Sequence, residues 1–280
     1  MNYRHAFHAG NFADVVKHAV LARIVRYLKE KPAAFRVIDT HAGAGLYDLS
    51  GAEATRTGEW RGGIGKLRAA DLAPAVRDLL APYLDAVASF NAGGDVKLYP
   101  GSPALVRHWL RVQDRMIACE AEAVAARALA NRMRGDDRIK TVAIDGYVAL
   151  NAYVPPKERR GLVLTDPPFE QPDEFGRLAE ALAGAHRKWP TGIYLFWYPI
   201  KDFRAAQGFG RDLARRGIAR MLRAELTIAT AREGEKLNGS GLIIVNPPWP
   251  LEGELAVLLP ALADILAVEK GVTRLDWLVP

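Results

Sequence analysis

The sequence predicts an α/β fold with a mostly parallel, doubly wound sheet. Short uncharged apolar runs alternate along the chain with longer segments whose apolar residues recur every three or four positions. Such runs are typical of strands buried on both faces, and the longer segments are typical of amphipathic helices. Their regular alternation favours parallel strands joined by helical crossovers. Several runs end directly in an acidic residue, which suits ligand binding at the carboxyl edge of the sheet.

The composition is that of an ordinary globular protein, and the positive net charge favours a polyanionic partner. Of the 280 residues, 50% are hydrophobic and 25% are charged, and the net charge is +6. The single cysteine, Cys119, excludes an intrachain disulfide and fits a reducing cytoplasm. The polar start Met-Asn-Tyr-Arg-His lacks a signal-peptide core, and no apolar run approaches the roughly 18 residues of a membrane span. We therefore expect a cytoplasmic protein without membrane contact.

The first 30 residues form an N-terminal arm that leads into a helix. Gly10 permits a sharp turn, and Asn11 is a suitable N-cap. Asp14 follows three residues after Asn11, much as in a capping box. Apolar residues at helical spacing then continue to about Lys29, which predicts an amphipathic helix.

The segment ahead of this helix is rich in His, Tyr, Arg and Phe and has little apolar periodicity. It is either a solvated basic arm or an arm that contacts a ligand. Lys17 and His18 lie one turn inside the helix, on the face shared with Asp14. The six histidines of the chain are scattered and have no cysteine partners, so we expect no metal site.

A first buried strand, residues 35–40, is followed by His41-Ala42-Gly43-Ala44-Gly45. Glycines after a strand let the backbone approach a bound nucleotide closely. A dinucleotide fingerprint needs another Gly or Ala three residues further on, where this chain has Asp48. No Walker lysine pattern occurs either. The turn therefore favours the adenosyl-binding loop of a methyltransferase over an NAD or ATP site.

Residues 50 to about 96 interrupt the alternation and predict a helical insertion. Residues 73–90 have helical spacing, and residues 56–68 are rich in glycine and arginine, which adds basic surface. A brief strand at 97–99 and a Pro-Gly-Ser-Pro turn at 100–103 then return the chain to the main fold.

Three successive strands, each predicted to be buried, end in an acid. They are residues 116–119 with Glu120, residues 139–144 with Asp145, and residues 162–165 with Asp166. One such acid is unremarkable because Asp and Glu are common in loops. Three acids at the same sheet edge are more specific and favour a ligand site.

The remaining chain continues the alternation. It predicts a helix at 174–188, a strand at 192–198, a basic helix at 201–216, strands at 221–230 and 241–246, a helix at 251–267 and a last strand at 272–279. The hairpin-like pair of strands near the end predicts one reversed strand.

The strand at 162–165 leads into Asp166-Pro167-Pro168-Phe169. The prolines end the strand, because neither can donate to the ladder and each fixes its own φ. This set suits methyl transfer to the exocyclic amine of a flat base. Asp166 and the Pro167 carbonyl would accept the two amine hydrogens, and Phe169 would stack on the base. The alternative is a strand that ends in a rigid turn with a core Phe.

A second segment, Asn246-Pro247-Pro248-Trp249, has the same pattern after an apolar run. Position in the chain decides between the two. In a methyltransferase sheet the catalytic strand is the fourth, after the strands that supply the glycine turn and two acids. The strand before Asp166 fits that count, so we interpret the Asn246 segment as structural.

Taken together, these motifs resemble those of the RlmJ family, bacterial 23S ribosomal RNA adenine-N6 methyltransferases, over almost the whole chain. The motifs that carry the resemblance are Tyr3-Arg4-His5, His8-Ala9-Gly10-Asn11, Ala13-Asp14-Val15, Lys17-His18, Asp39-Thr40-His41-Ala42-Gly43-Ala44-Gly45, Tyr99-Pro100-Gly101-Ser102-Pro103, Asp145-Gly146, Asp166-Pro167-Pro168, Trp197-Tyr198-Pro199 and Asn246-Pro247-Pro248-Trp249.

The resemblance implies one Rossmann-like class I methyltransferase domain over residues 1–280, with a seven-stranded, mostly parallel sheet. It also implies S-adenosylmethionine as methyl donor, S-adenosylhomocysteine as product, and no metal. Carried over by position, the donor contacts would be His18, His41, Gly43, Ser102, Glu120, Asp145, Gly146 and Asp166. The catalytic set would be Asp166, Pro167 and Phe169, and the contacts to RNA would be Tyr3, His5, His8 and Lys17.

The implied partner is 23S ribosomal RNA, met before the ribosome is fully assembled by a monomeric enzyme. Its target adenine would be flipped out of any duplex. One departure is Phe169, where the family motif usually ends in Tyr, so a role for that hydroxyl is lost. A DNA adenine-N6 methyltransferase and a non-catalytic nucleic-acid-binding relative are the alternatives.

Overall fold

The computed structural model describes residues 4–229 and 237–280, and an eight-stranded sheet forms its centre. The strands of these residues are β1 (Arg36–Asp39), β2 (Leu46–Asp48), β3 (Leu98–Pro100), β4 (Arg115–Glu120), β5 (Ile139–Ala143), β6 (Gly161–Thr165), β7 (Ile193–Ile200), β8 (Met221–Thr227), β9 (Gly239–Val245) and β10 (Val272–Val279). The sheet order is β5-β4-β1-β6-β7-β9-β8-β10, and β2 and β3 form a separate two-stranded hairpin.

The predicted mostly parallel sheet is confirmed, but its details differ. Strands β5, β4, β1, β6 and β7 pair in parallel. Strand β9 is antiparallel to both β7 and β8, and β10 is antiparallel to β8 at the edge. The sheet thus has eight strands instead of seven, and two reversed strands instead of one. An apolar run does not indicate the direction of its strand, which explains why the number of reversed strands was predicted wrongly.

Two predicted strands have surroundings other than expected. The segment at 97–99 contributes to β3, which pairs antiparallel with β2 outside the main sheet. Strand β5 was predicted to be buried but forms the edge of the sheet, and its side chains are half-buried or exposed. Its acid, Asp145, still reaches the same sheet edge as Glu120 and Asp166.

Helices cover both faces of the sheet. They are α1 (Phe12–Lys29), α2 (Ala52–Thr57), α3 (Lys66–Ala69), α4 (Pro74–Ser89), α5 (Ser102–Trp109), α6 (Ala123–Met133), α7 (Gly146–Tyr153), α8 (Glu174–Lys188), α9 (Phe203–Ala214) and α10 (Leu251–Leu266). Helices α1, α5 and α10 pack on one face, with α4 against α1 and α10, and α7, α8 and α9 pack on the other. None of the helices in the described ranges is long and apolar enough to cross a membrane.

Helix α1 brings polar groups into the interior at its first turns. The Asn11 side chain accepts hydrogen bonds from the amides of Ala13 and Asp14, so the predicted N-cap is confirmed. The capping box suggested for Asp14 does not form, because the Asn11 amide donates to the His8 carbonyl oxygen. Asp14 accepts a hydrogen bond from the Gly10 amide at 2.9 Å. Fifteen of the helix residues are buried, Asp14 and Lys17 among them, because α1 is enclosed by the sheet and by α4, α5 and α10.

The segment after β2 packs its backbone directly onto the start of α1. A wide helical turn, Arg61–Gly65, places the Ile64 amide 2.9 Å from the Gly10 carbonyl oxygen. A Cβ atom at Gly63 would lie 2.1 Å from that oxygen and 2.4 Å from the Asn11 carbonyl carbon. Only glycine permits this approach, which fixes the insertion beside the polar end of α1.

Candidate active site

A cavity of about 490 Å³ opens at the carboxyl edge of the parallel strands. The eight residues predicted to contact the methyl donor all line it: His18, His41, Gly43, Ser102, Glu120, Asp145, Gly146 and Asp166. The glycine turn and Asp166 thus share one hollow, as the proposed chemistry requires. What these residues bind stays a prediction.

The glycine turn after β1 is fastened to the neighbouring strand. The Gly43 amide donates to Glu120 Oε2 at 2.8 Å, and Glu120 Oε1 accepts from the Glu122 amide at 2.8 Å. Gly43 has a φ of 60°, and a Cβ atom there would lie 2.2 Å from the hydroxyl of Tyr47. The turn is therefore held next to Glu120, and both Gly43 and Glu120 line the cavity.

Opposite this turn, Gly146 begins α7 beneath His41. A Cβ atom at Gly146 would lie 2.4 Å from the His41 ring. Asp145 caps the helix, since its Oδ1 accepts from the Tyr147 and Val148 amides at 2.9 and 3.1 Å. Burial lowers the pKa of His41 to about 4, so its ring is neutral at physiological pH.

A buried ionic cluster joins α1 to the loop after β6. The Lys17 ammonium contacts Asp166 Oδ2 and lies 2.9 Å from Asp14 Oδ1. Burial alone would lower the pKa of Lys17, but Asp14 and Asp166 outweigh it and raise the pKa. Burial alone would raise the pKa of Asp14, but the Lys17 ammonium and the contact with His5 hold that pKa well below its usual value. Lys17 and Asp14 are therefore both charged at neutral pH.

Two further polar chains lie beneath the cavity. His18 Nδ1 is 2.7 Å from the Tyr99 hydroxyl, which is 2.9 Å from the Tyr83 hydroxyl. Burial lowers the pKa of His18 to about 3, so this ring is also neutral. Ser102 donates to Asp39 Oδ2 at 2.7 Å, and burial raises the pKa of Asp39 to about 7 despite that hydrogen bond.

The predicted catalytic segment is only partly at the cavity surface. Asp166, Pro167 and Pro168 line the cavity, whereas Phe169 is not among the lining residues. The Phe169 ring packs edge-on against Phe175, with centroids 4.9 Å apart, and against Trp197 at 5.9 Å. Stacking of Phe169 on a base remains a prediction.

The residues predicted to contact RNA are placed differently from one another. His5 and Lys17 line the cavity. His8 does not; its Nδ1 lies 3.0 Å from the Glu59 carboxylate. Tyr3 lies outside the described residues.

The second proline motif is far from the cavity in the sheet topology. Tyr194, near the amino end of β7, pairs with Val245, so Asn246 lies at the opposite edge from Asp166. The side-chain amide of Asn246 donates to the carbonyl oxygens of Pro190 and Gly192, each at 2.8 Å. This placement agrees with its interpretation as a structural segment.

The cavity also contains residues that the sequence did not single out. Tyr47 accepts from the Ala44 amide with its hydroxyl at 3.1 Å, and Tyr147 donates to the buried Glu174. Arg177 lies over the Tyr147 ring at 4.7 Å. These contacts join segments distant in sequence and leave no local pattern. Asp39 did have a signal, since it ends β1 as the other acids end their strands.

Comparison with known proteins identifies the family. The family model described as "RsmJ: Ribosomal RNA large subunit methyltransferase D, RlmJ" matches residues 32–279. The chain belongs to the RlmJ family. It is 37% identical over 281 residues to ribosomal RNA large subunit methyltransferase J of Escherichia coli K12, and 36% identical over 282 residues to the protein of that name from Haemophilus influenzae. Each alignment covers 100% of this chain and 99% of the relative.

A solved structure agrees with this family membership. A Legionella pneumophila protein superposes with a TM-score of 0.88 and 30% sequence identity, covering 96% of this chain and 98% of that one. The predicted resemblance to the RlmJ family is thus confirmed, and the protein is a methyltransferase with the Rossmann-like class I fold. Its sheet has one strand more than the seven that the resemblance implied.

Proposed function

We propose that this protein transfers a methyl group from S-adenosylmethionine to the N6 amine of one adenine in 23S ribosomal RNA. The observation that carries the proposal is the single cavity shared by the glycine turn, Glu120, Asp145 and Asp166. The names of the Escherichia coli and Haemophilus influenzae relatives support ribosomal RNA of the large subunit as substrate.

The donor set of the cavity suits S-adenosylmethionine. Glu120 would accept from the ribose hydroxyls and Asp145 from the adenine amine of the donor. Gly43 and Gly146 let the backbone of the cavity wall pack closely on Tyr47 and His41, since a Cβ atom at either position would overlap those side chains. His18 and His41 are neutral at physiological pH, so neither repels a cationic donor.

The catalytic task of the chain is to hold the adenine amine. When bound, S-adenosylmethionine supplies a methyl group made electrophilic by its sulfonium. Asp166 and the Pro167 carbonyl oxygen each accept one amine hydrogen, which draws the N6 lone pair out of conjugation and frees it for attack. As the bond from N6 to the methyl carbon forms and the methyl–sulfur bond breaks to leave the uncharged thioether, N6 would pass one proton to Asp166. Alignment of two reactants can supply on the order of 7–11 kcal/mol of barrier reduction.

Phe169 supplies the apolar surface on which the base rests. Stacking of a base on an aromatic ring contributes roughly 1–3 kcal/mol, which offsets part of the cost of flipping it out. Phe175 and Trp197 hold the ring from two sides, so its position is fixed by the fold. Phe169 lacks the hydroxyl of the Tyr that is usual in the family, but its ring offers the same area for stacking.

The N-terminal arm and the insertion supply the contacts to RNA. We assign Tyr3, His5, His8 and Lys17 to the substrate side. Arg4 is exposed at the cavity mouth, and Arg56 and Arg61 are exposed on the adjoining insertion. The net charge of +6 favours association with a polyanion.

Methyl transfer from labelled S-adenosylmethionine to three substrates tests the proposal: protein-free 23S RNA, assembled large subunits and duplex DNA. We expect N6-methyladenine in the free RNA, identified by mass spectrometry. Transfer to duplex DNA alone would assign the protein to the DNA enzymes. Donor binding without transfer to any substrate would favour a non-catalytic relative. Mapping of methylated adenines in 23S RNA from a strain that lacks the protein then locates the target.

We also propose that the enzyme acts as a monomer in the cytoplasm, on RNA that is not yet fully assembled. The eight residues assigned to the donor converge on one cavity within a single chain, so the donor site itself does not require a second copy. Light scattering at assay concentrations checks the oligomeric state. Faster methylation of protein-free RNA than of assembled subunits checks the timing.

A further inference from the structure

Asp14 is a buried carboxylate that contacts Lys17, which in turn contacts Asp166. Asp14 itself does not line the cavity. It is 2% exposed, and three groups contact its two oxygens. Oδ1 lies 2.9 Å from Lys17 Nζ, and Oδ2 accepts from the Gly10 amide at 2.9 Å and lies 3.0 Å from His5 Nε2. A carboxylate could accept the Gly10 amide hydrogen without touching Lys17, so the contact with Lys17 calls for its own explanation.

The charges of Asp14, Lys17 and Asp166 explain the contact between Asp14 and Lys17. Lys17 is 4% exposed and contacts both Asp14 and Asp166. The formal charges of Asp14, Lys17 and Asp166, one ammonium between two carboxylates, add up to −1. Without Asp14, the ammonium would neutralise Asp166, and the cluster would present no net charge to a cationic ligand. Low local polarity makes this difference larger than it would be in water.

We propose that Asp14 is a positioning residue that offsets the charge of Lys17, so that Asp166 presents uncompensated negative charge to the sulfonium of the donor. Lys17 can then orient the Asp166 carboxylate without cancelling its charge. This inference rests on the proposed function, because it concerns the recognition of a cationic donor over its uncharged thioether product. It adds a role for a residue that contacts neither reactant.

The test compares the affinities of S-adenosylmethionine and S-adenosylhomocysteine, measured by calorimetry for the full chain. In the Asp14→Asn variant, S-adenosylmethionine should bind about tenfold more weakly, because Asp166 is then neutralised by Lys17; a factor of ten corresponds to about 1.4 kcal/mol. Binding of S-adenosylhomocysteine, which lacks the sulfonium charge, should change by less than about twofold. Equal weakening of both ligands would show a merely structural role and overturn the proposal.

Two further variants keep the charge argument testable if Asp14→Asn folds poorly. Lys17→Met should preserve or increase the preference for the sulfonium, and Asp14→Asn combined with Lys17→Met should restore it, because Asp166 then stands alone with its charge. A fall of the preference in either variant would contradict the proposal. Glu59→Gln is the matched control. It removes a carboxylate that contacts His8 and Asn11 of the same arm but does not contact Lys17. Wild-type protein that binds neither ligand would instead refute the proposed function itself.

Discussion

Asp166 is tied by a charged contact to Lys17, which lies 149 residues earlier in the chain. We predict that Asp166→Ala lowers the rate of methyl transfer by at least 10²–10³-fold, comparable to the loss of one preorganised group that stabilises a transition state. The fold should survive, because Lys17 keeps Asp14 as a partner. Single-turnover transfer to 23S RNA, with circular dichroism to check folding, measures both.

The matched control for this variant is Asp173→Asn, which removes an exposed carboxylate seven residues further along the same loop. Asp173 does not line the cavity, so its loss should leave the rate nearly unchanged. Near-normal turnover of Asp166→Ala would contradict the role given to this carboxylate.

Asp39 makes the stability of the protein depend on pH. Its pKa is about 7 in the folded protein against an ordinary value of 3.8, because burial disfavours the charged form. Since the folded state holds this proton more tightly, the stabilising contribution is present below about pH 4 and is lost as the pH rises towards 7. From pH 5 to pH 8, the free energy of unfolding of Asp39→Asn should gain about 2–3 kcal/mol relative to the wild type.

Urea unfolding of both proteins at the two pH values measures this difference. The buried histidines act in the opposite direction, since the lowered pKa values of His18 and His41 make their contributions disappear as the pH falls below about 6.5. They are present in both proteins and cancel in the comparison. A difference that is the same at pH 5 and pH 8 would show that Asp39 does not titrate in this range.

At the scale of the elements, the contact between the insertion and α1 depends on Gly63. A methyl group at this position would overlap backbone atoms of Gly10 and Asn11, which no side-chain movement can relieve. We predict that Gly63→Ala lowers the free energy of unfolding by about 3 kcal/mol, the upper end for overpacked sites. Donor affinity should fall with it, because the contact lies beside Asp14 and Lys17.

Gly62→Ala provides the control, since a Cβ atom at Gly62 meets nothing within 4 Å. This exposed substitution should change stability by less than about 0.5 kcal/mol. Urea unfolding and calorimetry of the two variants in parallel separate the steric effect from the loss of a glycine. Equal stability of both variants would mean that the insertion is not held against α1 at this point.

The elements that the sequence predicted well are those with a local signal. A mainly apolar run that ends in an acid predicted β4, β5 and β6 with their acids at one sheet edge, and the Asn11 cap predicted the start of α1. The direction of β9 and β10 and the exposure of β5 depend on neighbours in the sheet. A strand's own residues do not encode those neighbours, so these features required the structure.

The same distinction applies to the site. The eight predicted cavity residues follow strands or lie in motifs, so their positions could be inferred one by one. The link from Asp14 through Lys17 to Asp166 could not, although Asp14 and Lys17 share a helix face in the sequence. Nothing local indicates that this face meets the loop after β6. The packing of Phe169 on Trp197 was missed for the same reason.

At the scale of the whole molecule, we propose that the arm, the insertion and the sheet form one domain. Helix α1 packs against α4 of the insertion, and α4 in turn packs against α10. The arm is joined to the insertion by the contacts of His8 and Asn11 with Glu59. Such continuous packing favours a single cooperative unfolding transition, with coincident loss of secondary structure and tryptophan signal.

Charge distribution over the molecule gives the last prediction, on binding of RNA. Arg56 lies over the Phe7 ring of the arm at 4.3 Å, and Arg61 lies over the Trp60 ring of the insertion at 5.2 Å, so an aromatic contact holds each exposed guanidinium group. We predict that replacing both by Gln weakens binding of 23S RNA fragments and makes the affinity less dependent on salt. Each lost phosphate contact should reduce the slope of log K against log salt concentration by about 0.7 for single-stranded RNA.

The control replaces Arg187 and Arg215 by Gln, which lowers the net charge equally. These arginines are exposed at the ends of α8 and α9, at the sheet edge away from the cavity. If RNA follows the arm and the insertion, filter binding over a range of salt concentrations should show a reduced slope for the first pair alone. Equal changes for both pairs would mean that net charge attracts the RNA without a defined path, because a diffuse field does not distinguish one exposed cation from another.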